Sequence, residues 1–337
     1  MIIIQLAGGL GNQMFQYALY LQLKSLGKEV KMDDVTAFVE DRQRTPALAP
    51  FGITYERATA KELTKMLDSS MLPWQRVRRK LWGRKKKAYF ENNKRYQSEI
   101  MGWDDIYLEG YWQSEKYFAQ AVQQVRESYD TDRLLEYLIK REKDTEAARN
   151  RKCAAIRQDN ITTVICGPEN RSGGNLPVQD WLRQITETES VSLHIRGGDY
   201  LLPENQELFG GICTETYYRK AIELMRQEHP DAVFFLFTND REWAKKKIDR
   251  ICNEVRVVDT SGNNDNDYAE FALMSKCRHH ILANSSFSWW ASYLNPYEDK
   301  TVLAPDRWLN GWDCADFYRA DMRRVSAAQD SADAVRT

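Results

Sequence analysis

The sequence predicts an α/β protein made of two doubly wound, Rossmann-like domains. Three observations carry that reading. The chain has 337 residues, about twice the length of a common single domain. It opens on an apolar run, a glycine-rich turn and an amphipathic helical pattern, which together start a βαβ unit and therefore a parallel sheet. From residue 191 to residue 304, short apolar runs alternate with helical periods, the pattern of a second parallel sheet.

The elements follow in order. Residues 1–6 read as a buried strand, followed by the turn Ala7-Gly-Gly-Leu-Gly-Asn-Gln13. A helix is expected from Met14 to Leu26, with Phe15, Ala18, Leu19, Leu21 and Leu23 toward the sheet and Gly27 ending it. Glu29–Met32 begins a second strand. Residues 69–90 hold eight basic and no acidic side chains, with Trp74, Val77, Leu81 and Trp82 interleaved at near-helical spacing. A highly charged segment, 131–159, carries one apolar stripe from Leu134, Leu135, Leu138 and Ile139. The glycine-rich stretch 167–175 reads as a loop, so the domain boundary is placed near 160–188. This gives a first domain over 1–175, a second over 188–310 and a tail over 311–337. In the second, strands are expected at 191–196, 233–237, 254–259, 280–283 and 301–304, with helices at 214–227, 241–252, 268–277 and 287–294.

Bulk composition narrows the function. With 42% hydrophobic and 29% charged residues the chain is an ordinary globular protein, and a formal net charge of −1 offers no field for nucleic acid. The six cysteines form no CxxC pair and no zinc-like array, which predicts reduced thiols. There is no apolar run of signal-peptide or membrane-spanning length, so the expected location is cytoplasmic. The sequons at Asn160, Asn170 and Asn284 then read as chance.

Four polar clusters fall at the carboxyl ends of predicted strands, where open α/β sheets bind ligands. The first is Gly8–Gln13. A bare backbone at a helix start admits a phosphate or a sugar, although Met14 stands where a dinucleotide fingerprint has its third glycine, and no P-loop Lys-Ser/Thr follows. The second is His194-Ile-Arg-Gly-Gly-Asp-Tyr200. Strand alternation puts His194 and Arg196 on one face, and a guanidinium fork suits a diphosphate. Asp199 is a candidate base, or an ion-pair partner of Arg196. The third ends in Thr238-Asn239-Asp240, where Asp240 either caps a helix or holds a nucleoside. The fourth is Asn284-Ser-Ser-Phe-Ser-Trp-Trp290, an anion seat at a helix start, with the tryptophans expected in the core. Asp265-Asn-Asp267 has the form of a metal-binding DxD but reads as a helix cap. His279-His280, on alternating faces of a strand, cannot chelate together.

At these stretches the sequence resembles glycosyltransferase family 11, the α-1,2-fucosyltransferases, of bacterial type. The matching text is Gly8–Ala18, Leu108-Glu-Gly-Tyr-Trp-Gln-Ser-Glu-Lys-Tyr-Phe118, His194–Tyr200, Phe234–Asp240, Asp267–Cys277 and Ala283–Leu294. The resemblance implies a GT-B fold, two facing Rossmann-like domains with the cleft between them and the donor on the C-terminal one. It also implies metal-independent transfer from GDP-β-L-fucose with inversion to an α linkage, on a glycan acceptor whose expected hydroxyl is the 2-OH of a galactoside, with no further cofactor. A different GDP-sugar donor is the alternative, and a lipid-linked glycan is the acceptor that the basic stretch 74–88 would suit. By position, His194 and Arg196 would contact the diphosphate, Asp240 the guanosine, Ser285 and Ser286 phosphate, and Gly11 and Asn12 the donor from across the cleft. Arg196 and Asp199 would be the catalytic pair. One departure is plain: the family's second arginine is Gly197 here.

Other readings remain at this level. A GDP-sugar or carbohydrate-binding module without catalysis is favoured by Gly197, and a nicotinamide-dependent oxidoreductase is opposed by Met14. The basic stretch 74–88 is either a solvated helix face or a seat on the anionic inner face of a membrane.

Overall fold

The computed structural model of the chain describes residues 1–41, 43–82, 87–158, 176–252, 254–260 and 266–327. The loop at 167–175, the sequons at Asn160 and Asn170, Asp265 and the basic residues 84–86 lie outside these. The chain folds as two compact units, one of Met1–Tyr129 with Gly311–Ala320, the other of Asp130–Asn310 with the chain from Asp321 on.

The first unit holds a four-stranded parallel sheet in the order β2-β1-β4-β3, from Ile2–Gln5 (β1), Val30–Asp33 (β2), Ala88–Phe90 (β3) and Ile106–Glu109 (β4). Every residue of β1 is buried, as a strand covered on both faces must be. The helix after it runs Leu10–Ser25, four residues earlier than its apolar period predicts, and buries Met14, Phe15, Ala18, Leu19 and Leu23. Its early start is held by glutamines. Gln16 accepts from Ala7 N (2.9 Å) and donates to Gly110 O (2.8 Å), and Gln13 donates to Gly8 O and Thr45 O and accepts from Ala47 N. These amides satisfy loop backbone that would otherwise be buried without partners. Gly27, at φ +75°, ends the helix as expected, while Lys28 N bonds back to Leu23 O.

The second unit holds a six-stranded parallel sheet in the order β10-β9-β8-β5-β6-β7. Its strands are Ser190–Ile195 (β5), Val233–Thr238 (β6), Val255–Val257 (β7), His279–Ile281 (β8), Val302–Pro305 (β9) and Met322–Val325 (β10). Val191, Leu193, Phe234, Leu236, Ile281 and Leu303 pack against Tyr218, Ala221, Ile222 and Met225 of helix Glu215–Glu228. Trp289 and Trp290 are buried, as their core reading expects.

The division of the chain differs from the expected one. The charged segment is a helix, Thr131–Gln158, whose Leu134, Leu135 and Leu138 are buried, each worth roughly 1.5–3 kcal/mol. Lys276 Nζ pairs with Asp132 (2.7 Å) and Val178 N donates to Glu142 (3.1 Å), so this helix is part of the second unit. Residues 311–320 are no free tail but part of the first unit, and β10 completes the second sheet.

Candidate functional site

Numbered from β5, the second sheet has the order 3-2-1-4-5-6 read from β7 to β10, the doubly wound arrangement. The chain leaves β5 toward β6 and β7, then returns to β8 on β5's other side. Such a reversal opens a crevice beyond the carboxyl ends of β5 and β8, the place where this fold binds its ligands. Two of the predicted clusters, 194–200 and 284–288, stand at those ends, and the loops that carry them are tied together: the Tyr200 hydroxyl donates to Asn284 O (3.1 Å).

His194 is buried, its Nδ1 has no hydrogen-bond partner among the described residues, and its carbonyl accepts from the Tyr218 hydroxyl (3.0 Å). Burial, reinforced by the nearby Arg196 charge, pushes its pKa down to about 3, so the imidazole is neutral at physiological pH. A buried polar atom left unsatisfied costs about 1–3 kcal/mol, and His194 Nδ1 shares that condition with Trp112 Nε1 in the first unit. Phe287, in the first turn of helix Ser286–Leu294, lies 5.8 Å from the imidazole, ring centre to ring centre. That brings His194 to a helix N-terminus, where backbone N–H groups and the dipole favour an anion.

Arg196 is half-buried with its guanidinium 5.4 Å from the Tyr200 ring centre, a cation–π contact that holds the fork in place. Asp199 belongs to the turn Gly198–Leu201, and its side chain lies outside the described residues. The Ser285 hydroxyl caps the helix by accepting from Phe287 N (3.3 Å), and Ser286 is its first residue. Asn284 is a brace: it donates to Trp308 O (3.1 Å) and accepts from Cys213 Sγ (3.3 Å).

Gly197 has a packing reason. A Cβ built there would lie 3.0 Å from Trp243 Cε3 and 3.2 Å from Asp240 Cβ. The Gly197 N–H donates to Asn239 Oδ1 (2.9 Å), which keeps the backbone close to the end of β6. Gly198, at φ +58°, adopts the left-handed conformation that only glycine takes freely. Asp240 is the N-cap of helix Arg241–Ile248 and accepts from Trp243 N through Oδ1 (3.1 Å).

Gly11 and Asn12 lie in the first unit, in the opening turn of helix Leu10–Ser25, and Asn12 Oδ1 accepts from Gln113 Nε2 (2.6 Å). The structure therefore gathers His194, Arg196, Asp240, Ser285 and Ser286 around the carboxyl ends of β5, β6 and β8, while the first-unit pair belongs to a separate body.

Glu270 lies in the matching stretch Asp267–Cys277 but is not singled out there. It is buried in helix Asn266–Lys276, accepts from Arg241 Nη2 (2.9 Å), and has its pKa raised to about 7, chiefly by burial. Besides its place in that stretch, its sequence signal is an acid in an otherwise apolar helical face. The two histidines part as alternation requires: His280 Nδ1 meets Ser192 Oγ (2.8 Å), and His279 Nε2 meets Glu189 Oε1 (2.8 Å). His229 stacks on His279 at 3.7 Å, so Glu189, His229 and His279 form a cluster of potential metal ligands at the amino ends of β5 and β8. Thr301 N donates to His279 Nδ1 (3.0 Å). The ring proton is then on Nε2, turned to Glu189, and that nitrogen has no lone pair for a metal.

Comparison with known proteins defines the class. Over 329 residues the chain is 27% identical to an alpha-1,2-colitosyltransferase of Escherichia coli, covering 91% of this chain and 92% of that one. Over 322 residues it is 28% identical to the O-antigen biosynthesis glycosyltransferase WbnK of Escherichia coli, covering 91% and 94%. It is also 28% identical over 288 residues to galactoside alpha-(1,2)-fucosyltransferase 1 of Ateles belzebuth, covering 85% of this chain and 63% of that enzyme. The chain is a glycosyltransferase. The particular likeness is to glycosyl transferase family 11, whose model matches residues 159–320, the stretch that carries the β5–β8 crevice. The oxidoreductase and binding-module readings give way to this.

Proposed function

We propose that the chain moves L-fucose from GDP-β-L-fucose to a glycan hydroxyl, the 2-OH of a galactoside, by a metal-independent inverting displacement. The observation that carries this is the orphaned Nδ1 of buried His194 beside the N-terminus of helix Ser286–Leu294, with Arg196 one alternation further on the same strand end. A neutral imidazole donating a hydrogen bond, a permanently charged fork and a helix dipole suit the diphosphate of a departing GDP. In the displacement, the acceptor oxygen bonds to the fucose anomeric carbon from the face opposite GDP, and the bond from that carbon to the diphosphate oxygen breaks. The electron pair leaves on GDP, where preorganised positive charge stabilises it. The acceptor's proton goes to a base, a role assigned to Asp199 on the turn after Arg196.

The assay is GDP release from GDP-fucose with galactose-terminated acceptors in EDTA, alongside calorimetric titration of GDP. Tight GDP binding and EDTA-resistant release are expected. Failure of GDP to bind would remove the proposal. A colitosyl donor is the second reading, supported by the name of one relative; turnover of the GDP-colitosyl sugar in preference to GDP-fucose would establish it.

The same proposal places the enzyme on an anionic membrane surface through the basic stretch 74–88, where a lipid-linked acceptor would lie. Helix Pro73–Trp82 exposes Trp74, Val77 and Leu81 at helical spacing, with Lys80 also in solvent, the mixture that suits a bilayer interface. Among the described residues no helix is long and apolar enough to cross a membrane. Co-sedimentation with vesicles containing one-third anionic lipid, lost with neutral vesicles, is the expected result.

A further inference from the structure

The motif Leu108–Phe118 takes no part in the β5–β8 crevice, yet it builds a feature of its own in the first unit. Past the end of β4, Trp112 adopts φ +55°, a conformation unusual for a large side chain. The consequence is a reversal: Trp112 is wholly buried, while its neighbour Tyr111 is 38% exposed. One carboxylate fixes both. Glu91, almost fully buried, accepts from Tyr111 N (3.0 Å) and Trp112 N (3.2 Å), and pairs with Lys94 Nζ (2.9 Å). The Lys94 ammonium lies 5.9 Å from the Tyr111 ring centre and 5.7 Å from that of Trp312, which is itself 45% exposed.

Trp312 comes from the segment Gly311–Ala320, and its place is pinned. Asp313 pairs with Arg95 (2.8 Å), and Asp316 accepts from Arg95 Nε (2.7 Å), Lys116 Nζ (2.6 Å) and Tyr96 N (2.8 Å). Burial works to raise the Asp316 pKa, but Lys116, the Tyr96 N–H and Arg95 outweigh it and hold the carboxyl below its ordinary value, so the anchor stays ionised. On the other side, Tyr111 Cε1 would lie 3.1 Å from a Cβ on Gly8, so its ring rests on the glycine turn after β1. Two rigid aromatic faces thus flank one ammonium, near the carboxyl ends of β1 and β4.

We propose that Tyr111, Lys94 and Trp312 form a subsite that takes a pyranose ring of the acceptor glycan. A pyranose has a face of C–H bonds, weakly positive, that matches the negative face of an aromatic ring, and hydroxyls that accept from an ammonium. Large aromatic surface left in water is unfavourable by roughly 25 cal/mol per Å², and two such side chains held in place by buried carboxylates are a prepared platform. This assignment rests on the transferase reading for the identity of the ligand, and names the side chains that would receive its acceptor.

The test uses the full chain with lactose, a galactose-terminated disaccharide, as the probe. Tryptophan emission and saturation-transfer NMR follow lactose, while calorimetry follows GDP separately. Tyr111→Ala and Trp312→Ala are expected to weaken lactose binding tenfold or more with GDP affinity unchanged within twofold, and Tyr111→Phe to bind like the parent. Trp312→Phe keeps a ring and so should retain binding while losing the lactose-induced blue shift. That comparison decides the matter even if an alanine variant does not fold. Lactose binding unaltered in the alanine variants, a blue shift that persists in Trp312→Phe, or no lactose binding by the parent chain would overturn the subsite. Loss of GDP binding in the parent would instead strike the donor reading and leave the lactose result to stand on its own.

Discussion

Substituting Gly197 tests whether the crevice is shaped by packing or by chemistry. An alanine Cβ would stand 3.0 Å from Trp243 Cε3 and 3.2 Å from both Trp243 Cζ3 and Asp240 Cβ, where ordinary carbon contacts are about 3.5–4.0 Å. The indole must therefore give about half an ångström. Its room is limited by the Lys247 ammonium, 4.9 Å from its ring centre. Overpacking of this kind costs about 1–3 kcal/mol, and because Trp243 is only partly buried the lower half of that range is expected. For a domain of this size about 1–2 kcal/mol lowers Tm by roughly 2–8 °C. Gly197→Ala alone should show that loss by calorimetry, whereas combined with Trp243→Leu it should cost less than the sum of the two single changes. Gly197→Arg meets the same wall, so restoring the arginine that the family pattern has here should raise GDP affinity only in the Trp243→Leu background. Strict additivity in the cycle, or no Tm change for Gly197→Ala, would refute the reasoning.

Three further outcomes are expected. His194→Phe removes the orphaned nitrogen, so Tm should hold or rise while GDP binding weakens by about 1.5–3 kcal/mol, the range for a hydrogen bond to a charged group; undiminished GDP affinity would take His194 out of the site. Burial lowers the pKa values of His194, to about 3, and of His279, so the native state binds fewer protons than the unfolded chain below pH ~6.5. Stability is then fully present above that value and erodes as pH falls, by up to about 1.4 kcal/mol per unit for each site, and the His194→Phe variant should show a shallower decline of Tm between pH 6.5 and 4.5. Asp316→Asn removes the anchor of 311–320, which should expose that segment to limited proteolysis and lower stability by about 1–3 kcal/mol; an unchanged digestion pattern would show the segment is held by other contacts.

The local periodicities were legible. The strands between 190 and 305 and the helices Glu215–Glu228, Arg241–Ile248, Asn266–Lys276 and Ser286–Leu294 lie within a few residues of where apolar alternation and helical spacing put them, because each buries a face set by its own sequence. Helix Pro203–Phe209 buries no residue and left no such pattern. The four clusters at strand ends were legible for the same reason, since strand ends follow from the strands. What missed was the start of the first helix, whose opening turn depends on Gln13 and Gln16 reaching loops as far away as Thr45 and Gly110. Strands β3, β4 and β10 are three or four residues long, too short for a period, and exist because a parallel neighbour supplies their hydrogen bonds.

By itself, then, the sequence determined the α/β class, the doubly wound character of the second sheet, and which residue types stand at its carboxyl edge. Those depend on short-range pattern and on the steric rules of βαβ connection. Only tertiary structure decided the strand order that makes β5–β8 the switch point, the orphaning of His194 Nδ1, the Trp243 wall that requires glycine at 197, and the capping role of Asp240. Only tertiary structure, too, returned residues 311–320 to the first unit. Asp316 finds Arg95 and Lys116 some two hundred residues earlier in the chain, and no local pattern encodes a partner at that separation.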